Sequence, residues 1–299
     1  MNSKIEHQCS RQAFHHFVLT RFNLLIFNKD KEGHQVRSAS WLEHRFELFE
    51  RYCFPSLKNQ TCQNFEWIVL FDSSTPECFK EKIERCKEEF PQLIPVYVRP
   101  EGGRFFAQIF RDEVVKRISS KKNQNDNEKR RVLTTYLDND DALDIHFVED
   151  IQRRSADLSD GTFITYDNGY QYFTDYNYVM SIRYPRNHFI SVVENVNPLS
   201  VKTIYGYGSH YYIDKIKGVR IEHVKNLPMC CEVIHEKNMG NDAYFLRAKM
   251  MKGENLLLIA YGLNEKVYSG VGLYLFRFLP RYVKTFVRRI GYRVFGRHW

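Results

Sequence analysis

The chain has 299 residues, of which 43% are hydrophobic and 27% charged, as in an ordinary globular protein with one large domain or two small ones. The formal net charge of +8 is concentrated at the C-terminus, because eight basic and no acidic residues follow Glu265. Subtracting those eight from the 44 Lys and Arg leaves 36, which equals the number of Asp and Glu. A neutral body argues against a nucleic-acid-binding face, so no nucleic acid is expected as a partner.

The cysteines and the apolar runs bear on the compartment of the protein. Seven Cys are scattered along the chain without a CxxC pair, which leaves zinc-ribbon and thioredoxin-like sites without support. We find neither a signal-peptide pattern nor an apolar run near the roughly 20 residues of a membrane span. We therefore expect a cytoplasmic protein whose thiols are free.

The first half of the chain is predicted to alternate strands and helices. Apolar runs predict buried strands at residues 16–27, 65–71, 94–98 and 132–137. Helical spacing of apolar residues predicts helices at residues 41–53, 78–90, 113–118 and 142–154. The first of these helices is expected to end before Pro55, and the polar residues 119–131 predict a solvated loop. This alternation favours an α/β fold with a mostly parallel sheet.

The second half of the chain has a more mixed character. Short aromatic strands are predicted at residues 162–166, 172–184, 189–193, 201–207 and 229–234. Together with the first half they predict an α/β domain with a mixed central sheet. We assign residues 1–265 to this domain and residues 266–299 to a basic amphipathic C-terminal extension.

The extension places apolar residues at steps of three and four from Leu275 to Val294, with Arg and Lys between them. This pattern is typical of a helix that lies on an anionic membrane surface, here through residues 271–299. Pro280 and Gly291 disfavour an uninterrupted helix. The alternative is a helix that packs on the domain and exposes a solvated cationic face.

The stretch LTTYLDNDDAL places Asp138, Asp140 and Asp141, called here the Asp cluster, directly after an apolar strand. In open α/β sheets, ligands bind beyond the carboxyl ends of the strands. An Asp-x-Asp pair at such an end offers the hard oxygen ligands that Mg²⁺ or Mn²⁺ prefers, with substrate phosphates as further ligands. The alternative is that Asp140 or Asp141 caps the following helix.

Polar residues also follow two other predicted strands. Arg21 and Asn23 lie near the end of the first strand, and Asp72 follows the second. If the three strands are neighbours, these side chains converge with the Asp cluster on one crevice.

Four segments carry a resemblance to a known family: LTTYLDNDDAL, WLEHRFELFERYCFPSLKNQT, FEWIVLFDSSTP and PMCCEVIHEKN. From about residue 17 to about residue 241 the chain resembles the GT-A glycosyltransferases, and more narrowly the bacterial rhamnosyltransferase family. Tyr136 stands where Arg is expected in this family, and Met229-Cys230-Cys231 replaces a stretch expected to contain Trp. The resemblance implies the GT-A fold, which is the Rossmann-like fold of nucleotide-diphospho-sugar transferases.

The same resemblance implies a nucleotide site at the ends of the first strands. Arg21 and Asn23 would line the pocket, and Asp72 would contact the base or the ribose. Asp138 and Asn139 would complete the donor side of the site. The alternative for Asp72 is to cap the helix that starts near Pro76.

A metal site is also implied by the resemblance. Asp138 and Asp140 would hold a Mg²⁺ or Mn²⁺ ion and, through it, the diphosphate of the donor. Asp141 would orient them, cap the helix or act as a further ligand. His235 would be another metal or phosphate ligand, and its alternative is a structural role. A divalent cation there would offset the charge that develops on the departing nucleoside diphosphate.

Rhamnosyl transfer with inversion needs a general base that deprotonates the acceptor hydroxyl. Glu194, at the end of an apolar run, is the first candidate, followed by Asp167, His210 and Asp242. Each of these has an alternative role as a surface or turn residue. The tyrosines of residues 166–178 either stack on acceptor sugars or belong to ordinary strand faces.

The sequence thus predicts a metal-dependent, inverting glycosyltransferase. Its donor would be a nucleotide sugar, for example dTDP-rhamnose, and its acceptor a glycan or lipid-linked glycan of a surface polysaccharide. Such an enzyme would work in the cytoplasm, peripherally on the inner face of the membrane. Two alternatives stay open: a nucleotidyl- or phosphoryl-transfer enzyme, although no Gly-rich phosphate loop is evident, and a membrane-associated glycan-binding protein with a degenerate Asp-x-Asp.

Overall fold

The computed structural model of the protein describes residues 14–26, 38–120, 130–235, 248–250 and 259–263, and positions 267, 276, 279, 280, 283 and 287 beyond them. The predicted base Asp242, the predicted boundary after residue 265 and most of the predicted extension lie outside the described residues. Val267, just beyond that boundary, is buried in the same apolar cluster as Tyr261 and Leu263. Core packing therefore continues at least to this position.

The first half of the chain forms the parallel part of the sheet, as predicted. Its strands are β1 (Phe14–Arg21), β2 (Glu66–Asp72), β3 (Leu93–Val98) and β4 (Arg130–Tyr136). They lie in the order β4-β1-β2-β3, and every neighbouring pair is parallel. The strands are rich in apolar residues because both faces of this part of the sheet are covered.

The helices of the described residues are α1 (Ala39–Leu48), α2 (Phe54–Lys58), α3 (Glu77–Glu89), α4 (Phe106–Ser120) and α5 (Phe147–Ser155). The prediction that the first helix ends before Pro55 is wrong. A π-helical turn at Phe49–Cys53 leads into α2, and Pro55 lies in the first turn of α2. Because α2 continues directly from this turn, the missing N–H of Pro55 removes one hydrogen bond from a continuing helix, and the π-helical turn lies immediately before that position.

The rest of the chain extends the sheet with strands that mostly pair antiparallel. They are β5 (Ala142–Leu143), β6 (Thr162–Phe173), β7 (Tyr178–Arg183), β8 (Ile190–Val196), β9 (Arg220–Ile234) and β10 (Ala248–Met250). β8 pairs antiparallel with β4, and β6, β7 and β10 follow outward in that order. β9 runs parallel to β6 and also pairs with β5. The predicted α/β fold with a mixed central sheet is therefore confirmed.

Several predicted boundaries differ from the structure. The first strand ends at Arg21 rather than at residue 27, because the chain turns there toward the end of β2. Residues 142 and 143 pair with β9, so the helix predicted at 142–154 begins only at Phe147. The strand predicted at 201–207 is instead a 3-10 turn at Ile204–Tyr207. The side chains of Glu194 and Thr134 accept hydrogen bonds from the backbone N–H groups of residues 202–204. These N–H groups are therefore not available to pair with a neighbouring strand.

The sheet has an apolar core on each face. Along β1, Val18 packs on the face that α1, α3 and α5 cover, whereas Phe17 and Leu19 pack on the face that α4 covers. This alternation is the period of two expected of a strand. Buried Phe22 and Leu137 continue the first core just past the ends of β1 and β4, and the polar residues that follow them lie at this edge of the sheet.

The cysteines depart in one respect from the expectation. Free thiols are found at Cys53, Cys78, Cys86, Cys230 and Cys231. Cys62 is disulfide-bonded, so the expectation of free thiols throughout is wrong at this position. Within the part of the chain that the structure describes, no helix is both long enough and apolar enough to cross a membrane.

Candidate active site

The polar ends of β1, β2 and β4 meet, because these three strands are neighbours in the sheet. The backbone N–H of Asp72 donates to Asn23 Oδ1 (2.9 Å), which joins the ends of β1 and β2. Asn139 Nδ2 donates to the carbonyl oxygen of Arg21 (3.0 Å), which joins the ends of β4 and β1. The strand ends predicted to be neighbours therefore meet, and the side chains of Asn23 and Asn139, both predicted donor contacts, fasten their loops together.

Asp72 is fully buried and organises its own turn. Its Oδ1 accepts a hydrogen bond from the backbone N–H of Ser74 (2.7 Å). The helix α3 begins after Pro76 without a side-chain cap, so Asp72 does not have the alternative role of capping it. The Asp72 side chain instead fixes the turn at the carboxyl end of β2.

Arg21, the last residue of β1, lies among three aromatic rings that we call the Arg21 cage. Its guanidinium carbon lies 4.8 Å from the ring centroid of Phe106, 5.3 Å from that of Tyr205 and 5.6 Å from that of Tyr136. Arg21 Nη2 donates to the hydroxyl of Tyr136 (2.7 Å), and this hydroxyl donates to Asp138 Oδ1 (2.8 Å). Burial and the charge of Asp138 hold the pKa of Tyr136 well above its usual range, so the hydroxyl remains a donor. The cage thus places a fixed positive charge beside the Asp cluster.

Asp138 and Asp141 of the Asp cluster converge with His188, which precedes β8. One ligand atom from each of the three residues lies within 4.8 Å of the others. His188 Nε2 is 2.6 Å from Asp141 Oδ2 and 3.9 Å from Asp138 Oδ2. Two carboxylates and an imidazole are suitable donors for a divalent cation such as Mn²⁺ or Mg²⁺. We call this set the Asp-Asp-His site.

The electrostatics of the Asp-Asp-His site are those of buried charges in close contact. Burial raises the pKa of Asp141, whose Oδ1 also accepts the backbone N–H of Val233 (2.8 Å). Burial alone would lower the pKa of His188, but the hydrogen bond to Asp141 and its charge outweigh this and raise the pKa to about 9. A proton on His188 thus compensates the carboxylates, and a bound cation is the other way to supply that charge.

Asp140 faces a different set of partners. Its Oδ2 accepts from Arg45 Nη1 of α1 (2.6 Å) and is 3.0 Å from His235 Nε2, at the end of β9. Burial alone would raise the pKa of Asp140, but the charge of Arg45 and the hydrogen bond from His235 lower it below its usual range. The predicted ligands Asp140 and His235 therefore contact each other, while the Asp-Asp-His site contains neither of them.

Glu194, the first candidate for the general base, lies away from the Asp cluster. It pairs with Val132 near the start of β4, whereas the Asp cluster follows the end of β4. Its carboxylate accepts the backbone N–H groups of Lys202 (2.9 Å) and Thr203 (3.0 Å). Thr203 has a positive φ of 63°, which is strained for a β-branched residue and is maintained by such contacts. Glu194 therefore holds the turn that carries Tyr205 into the Arg21 cage.

The other two candidate bases have different surroundings. Asp167, on β6, is buried and hydrogen-bonds through Oδ1 to His223 Nδ1 of β9 (2.6 Å). The His210 ring lies 6.0 Å from the His188 ring and 6.3 Å from the Tyr136 ring. Burial, together with the nearby charges of His188 and Arg21, lowers the pKa of His210 to about 3, so its imidazole is neutral. Of the predicted bases among the described residues, His210 is therefore the one that adjoins the Asp-Asp-His site.

Three residues of the site were missed in the sequence: His188, Arg45 and Tyr205. Each of them lies in a segment whose hydrophobic periodicity predicts only a strand or a helix. No neighbouring motif indicates that the residue belongs to a site. The tyrosines at 166, 172 and 178 are fully buried, which leaves them as strand-face residues rather than a surface for sugars.

The mixed sheet, with an acidic site beyond its parallel strands, is the architecture expected of a GT-A-type glycosyltransferase. Comparison with known families supports this class directly. The family model described as "Putative rhamnosyl transferase" matches residues 15–244, and the chain belongs to that family. Membership of this family supports sugar transfer over the alternatives of nucleotidyl transfer and of a binding protein without activity. No curated protein sequence matches the chain at a significant level.

Solved structures of another glycosyltransferase are similar in part. The crystal structure of S. aureus TarS 1-349 in complex with UDP has a TM-score of 0.42 and 10% sequence identity, over 74% of this chain and 60% of that chain. The crystal structure of S. aureus TarS has a TM-score of 0.38 and 13% identity, over 75% of this chain and 37% of that chain. The chain thus spans less than two thirds of each of these proteins.

Proposed function

We propose that the protein transfers a sugar from a nucleotide-sugar donor to a glycan, with a divalent cation bound at the Asp-Asp-His site. The observation that carries this proposal is the convergence of Asp138, Asp141 and His188 beside the Arg21 cage. The family supports sugar transfer, and the positions of these residues support a diphosphate site.

The donor would lie across the ends of β1, β2 and β4. The turns held by Asn23 and Asp72 would form the nucleotide side, and the diphosphate would reach Asp138. A bound divalent cation would offset the charge of the departing nucleoside diphosphate. Arg21 would add a fixed charge nearby, held in place by its aromatic cage at no cost of reorganisation during the reaction.

Inversion in a single displacement requires a base on the acceptor side. We assign this role to His210 rather than to Glu194 or Asp167, because His210 adjoins the Asp-Asp-His site. Its neutral imidazole has a free electron pair to accept the proton of the acceptor hydroxyl. The negative diphosphate of a bound donor would raise the pKa of His210 toward the range in which a base is effective.

The family also supports a proposal for the transferred sugar. Its description supports rhamnose as the transferred sugar, with a donor such as dTDP-rhamnose. The acceptor would then be a glycan or a lipid-linked glycan of a surface polysaccharide. This reaction would take place in the cytoplasm at the inner face of the membrane.

The test of the proposed function is release of nucleoside diphosphate from a panel of nucleotide sugars, with Mn²⁺, with Mg²⁺ and with a chelator. We expect one donor to be turned over, and turnover to stop on chelation or in Asp138→Asn. The matched control is Asp112→Asn, an exposed carboxylate on α4, which should match the wild type. Turnover that persists with the chelator would contradict the role of the metal.

Membrane contact by residues 271–299 remains part of the proposal. Phe276, Leu279, Val283 and Val287 are exposed, and their steps of three and four place them on one face of a helix. Arg277, Arg281 and Lys284 lie between them in sequence. Co-sedimentation with anionic liposomes should fall on deletion of 271–299, and unchanged co-sedimentation would count against this role.

A further inference from the structure

We propose that the exposed rings of Tyr211 and Tyr212 form the platform on which the acceptor glycan stacks. Both belong to the 3-10 helix His210–Lys215. The proposal rests on the proposed function, since it names the acceptor subsite of that same site. It differs from the alternative that the tyrosines of residues 166–178 stack on acceptor sugars, of which Tyr166, Tyr172 and Tyr178 are buried.

The order of the strands decides on which side of the site the acceptor must approach. β1, β2 and β3 lie on one side of β4, and the ends of β1 and β2 carry predicted nucleotide residues. β8, β6 and β7 lie on the other side. If the donor binds at the ends of β1, β2 and β4, the acceptor must approach from the β8 side, because the sugar is transferred directly from donor to acceptor.

The 3-10 helix His210–Lys215 lies on this β8 side. Its first residue, His210, packs against His188, which directly precedes Phe189 and β8. The ring of His210 also lies 4.0 Å from that of Tyr211. Tyr211 is therefore the residue next to His210, which we propose as the general base of the transfer reaction.

The two rings are exposed while the helix beneath them is fixed. Tyr211 is 45% and Tyr212 60% exposed, whereas Ile213 is 1% exposed and belongs to the core under α4. Asp214 forms an ion pair with Arg186, in the segment that leads to His188. The rings are thus held on a rigid support that is coupled to the Asp-Asp-His site.

Exposed tyrosines on a rigid support are suited to bind sugars. A tyrosine presents a large flat surface at a low cost in conformational entropy, and its hydroxyl adds a hydrogen bond at the edge. The C–H faces of a pyranose ring can pack on such a surface while its hydroxyls remain in water. Lys215 Nζ lies over one face of the Tyr212 ring, 4.8 Å from its centroid, so the sugar would pack on the other face with this ammonium nearby.

Saturation-transfer NMR on the full chain tests the platform. The probes are methyl α-L-rhamnoside, methyl β-D-glucoside and methyl N-acetyl-β-D-glucosaminide, each added with dTDP and Mn²⁺ present. We expect saturation of ring C–H protons in the wild type and about 10-fold weaker binding in the double variant Tyr211→Ala/Tyr212→Ala. The double variant with Phe should stay within about twofold, because the stacking surface remains.

The control is Tyr97→Ala, which removes a partly exposed ring on β3, at the opposite edge of the sheet. It should bind the probes like the wild type. Equal binding by the Ala double variant, or no probe signal in the wild type, would overturn the platform.

Donor turnover by the wild type, measured in parallel, separates the two proposals. A wild type that turns over a donor but binds sugars independently of Tyr211 and Tyr212 refutes only the platform. Tyrosine-dependent binding without donor turnover refutes only the proposed reaction.

Discussion

In the parallel half of the sheet, polar residues at the strand ends mostly bind one another, whereas the antiparallel half sends single side chains to the Asp cluster. Asn23, Asp72 and Asn139 fasten the ends of β1, β2 and β4. His188 and His235, from the other half, reach two different carboxylates of the cluster. The parallel half therefore holds its own strand ends in place. The antiparallel half supplies the histidines that pair with individual carboxylates of the Asp cluster.

Substitution of one ligand from each half tests whether they hold one cation. We expect Asp138→Asn and His188→Gln each to lower kcat/KM for nucleoside diphosphate release by about 100-fold or more, since each removes one of three donors. The measurement is a Mn²⁺ titration of turnover. His146→Gln, at an exposed histidine, is the control and should be unchanged. A large loss in Asp138→Asn alone would show that the antiparallel half is not part of the site.

Arg45→Gln tests the ion pair that ties α1 to the Asp cluster. We expect the free energy of unfolding to fall by about 3–5 kcal/mol, because Asp140 is left as a buried charge without its cation. Urea denaturation measures this. Lys82→Gln, which removes an ion pair with the exposed Glu43, should cost no more than about 1 kcal/mol. Similar losses in both variants would show that burial does not distinguish the two pairs.

Glu194→Gln separates support of the Arg21 cage from catalysis. We expect a loss of about 1–3 kcal/mol in the free energy of unfolding, because the carboxylate accepts two buried backbone N–H groups. The KM for the donor should rise as Tyr205 shifts, with a smaller change in kcat. Urea denaturation and steady-state kinetics measure these effects. Abolished turnover with unchanged stability and KM would instead restore Glu194 as the base.

His16 in β1 gives a pH dependence that belongs to the parallel half alone. Burial lowers its pKa to about 3, so the unfolded chain binds a proton at a higher pH than the folded chain does. The free energy of unfolding should therefore fall by about 1.4 kcal/mol per pH unit from this group as the pH drops below its unfolded value of about 6.5. Urea denaturation from pH 6.5 to pH 4.5 should show a shallower slope for His16→Gln. Identical slopes would contradict burial of a neutral His16.

The strands that carry the site were predictable because their signals are local. Residues 65–71 and 132–137 are short apolar runs, and the structure has β2 and β4 there within two residues at each end. One error falls where side chains from elsewhere in the chain hydrogen-bond to the backbone. Thr134 and Glu194 accept hydrogen bonds from the backbone N–H groups of residues 202–204, so these residues do not form a strand. The hydrophobic periodicity of that segment does not indicate either contact.

The sequence by itself determined that three carboxylates follow an apolar strand and that a basic extension follows a neutral body. Which carboxylate meets which partner was decided only by the tertiary structure. Asp140 meets Arg45, 95 positions earlier, and Asp141 meets His188, 47 positions later. Asp140 and Asp141 are adjacent and chemically identical, so only the directions of their side chains distinguish them. Packing of α1, β8 and β9 around the cluster sets those directions, and no local pattern encodes them.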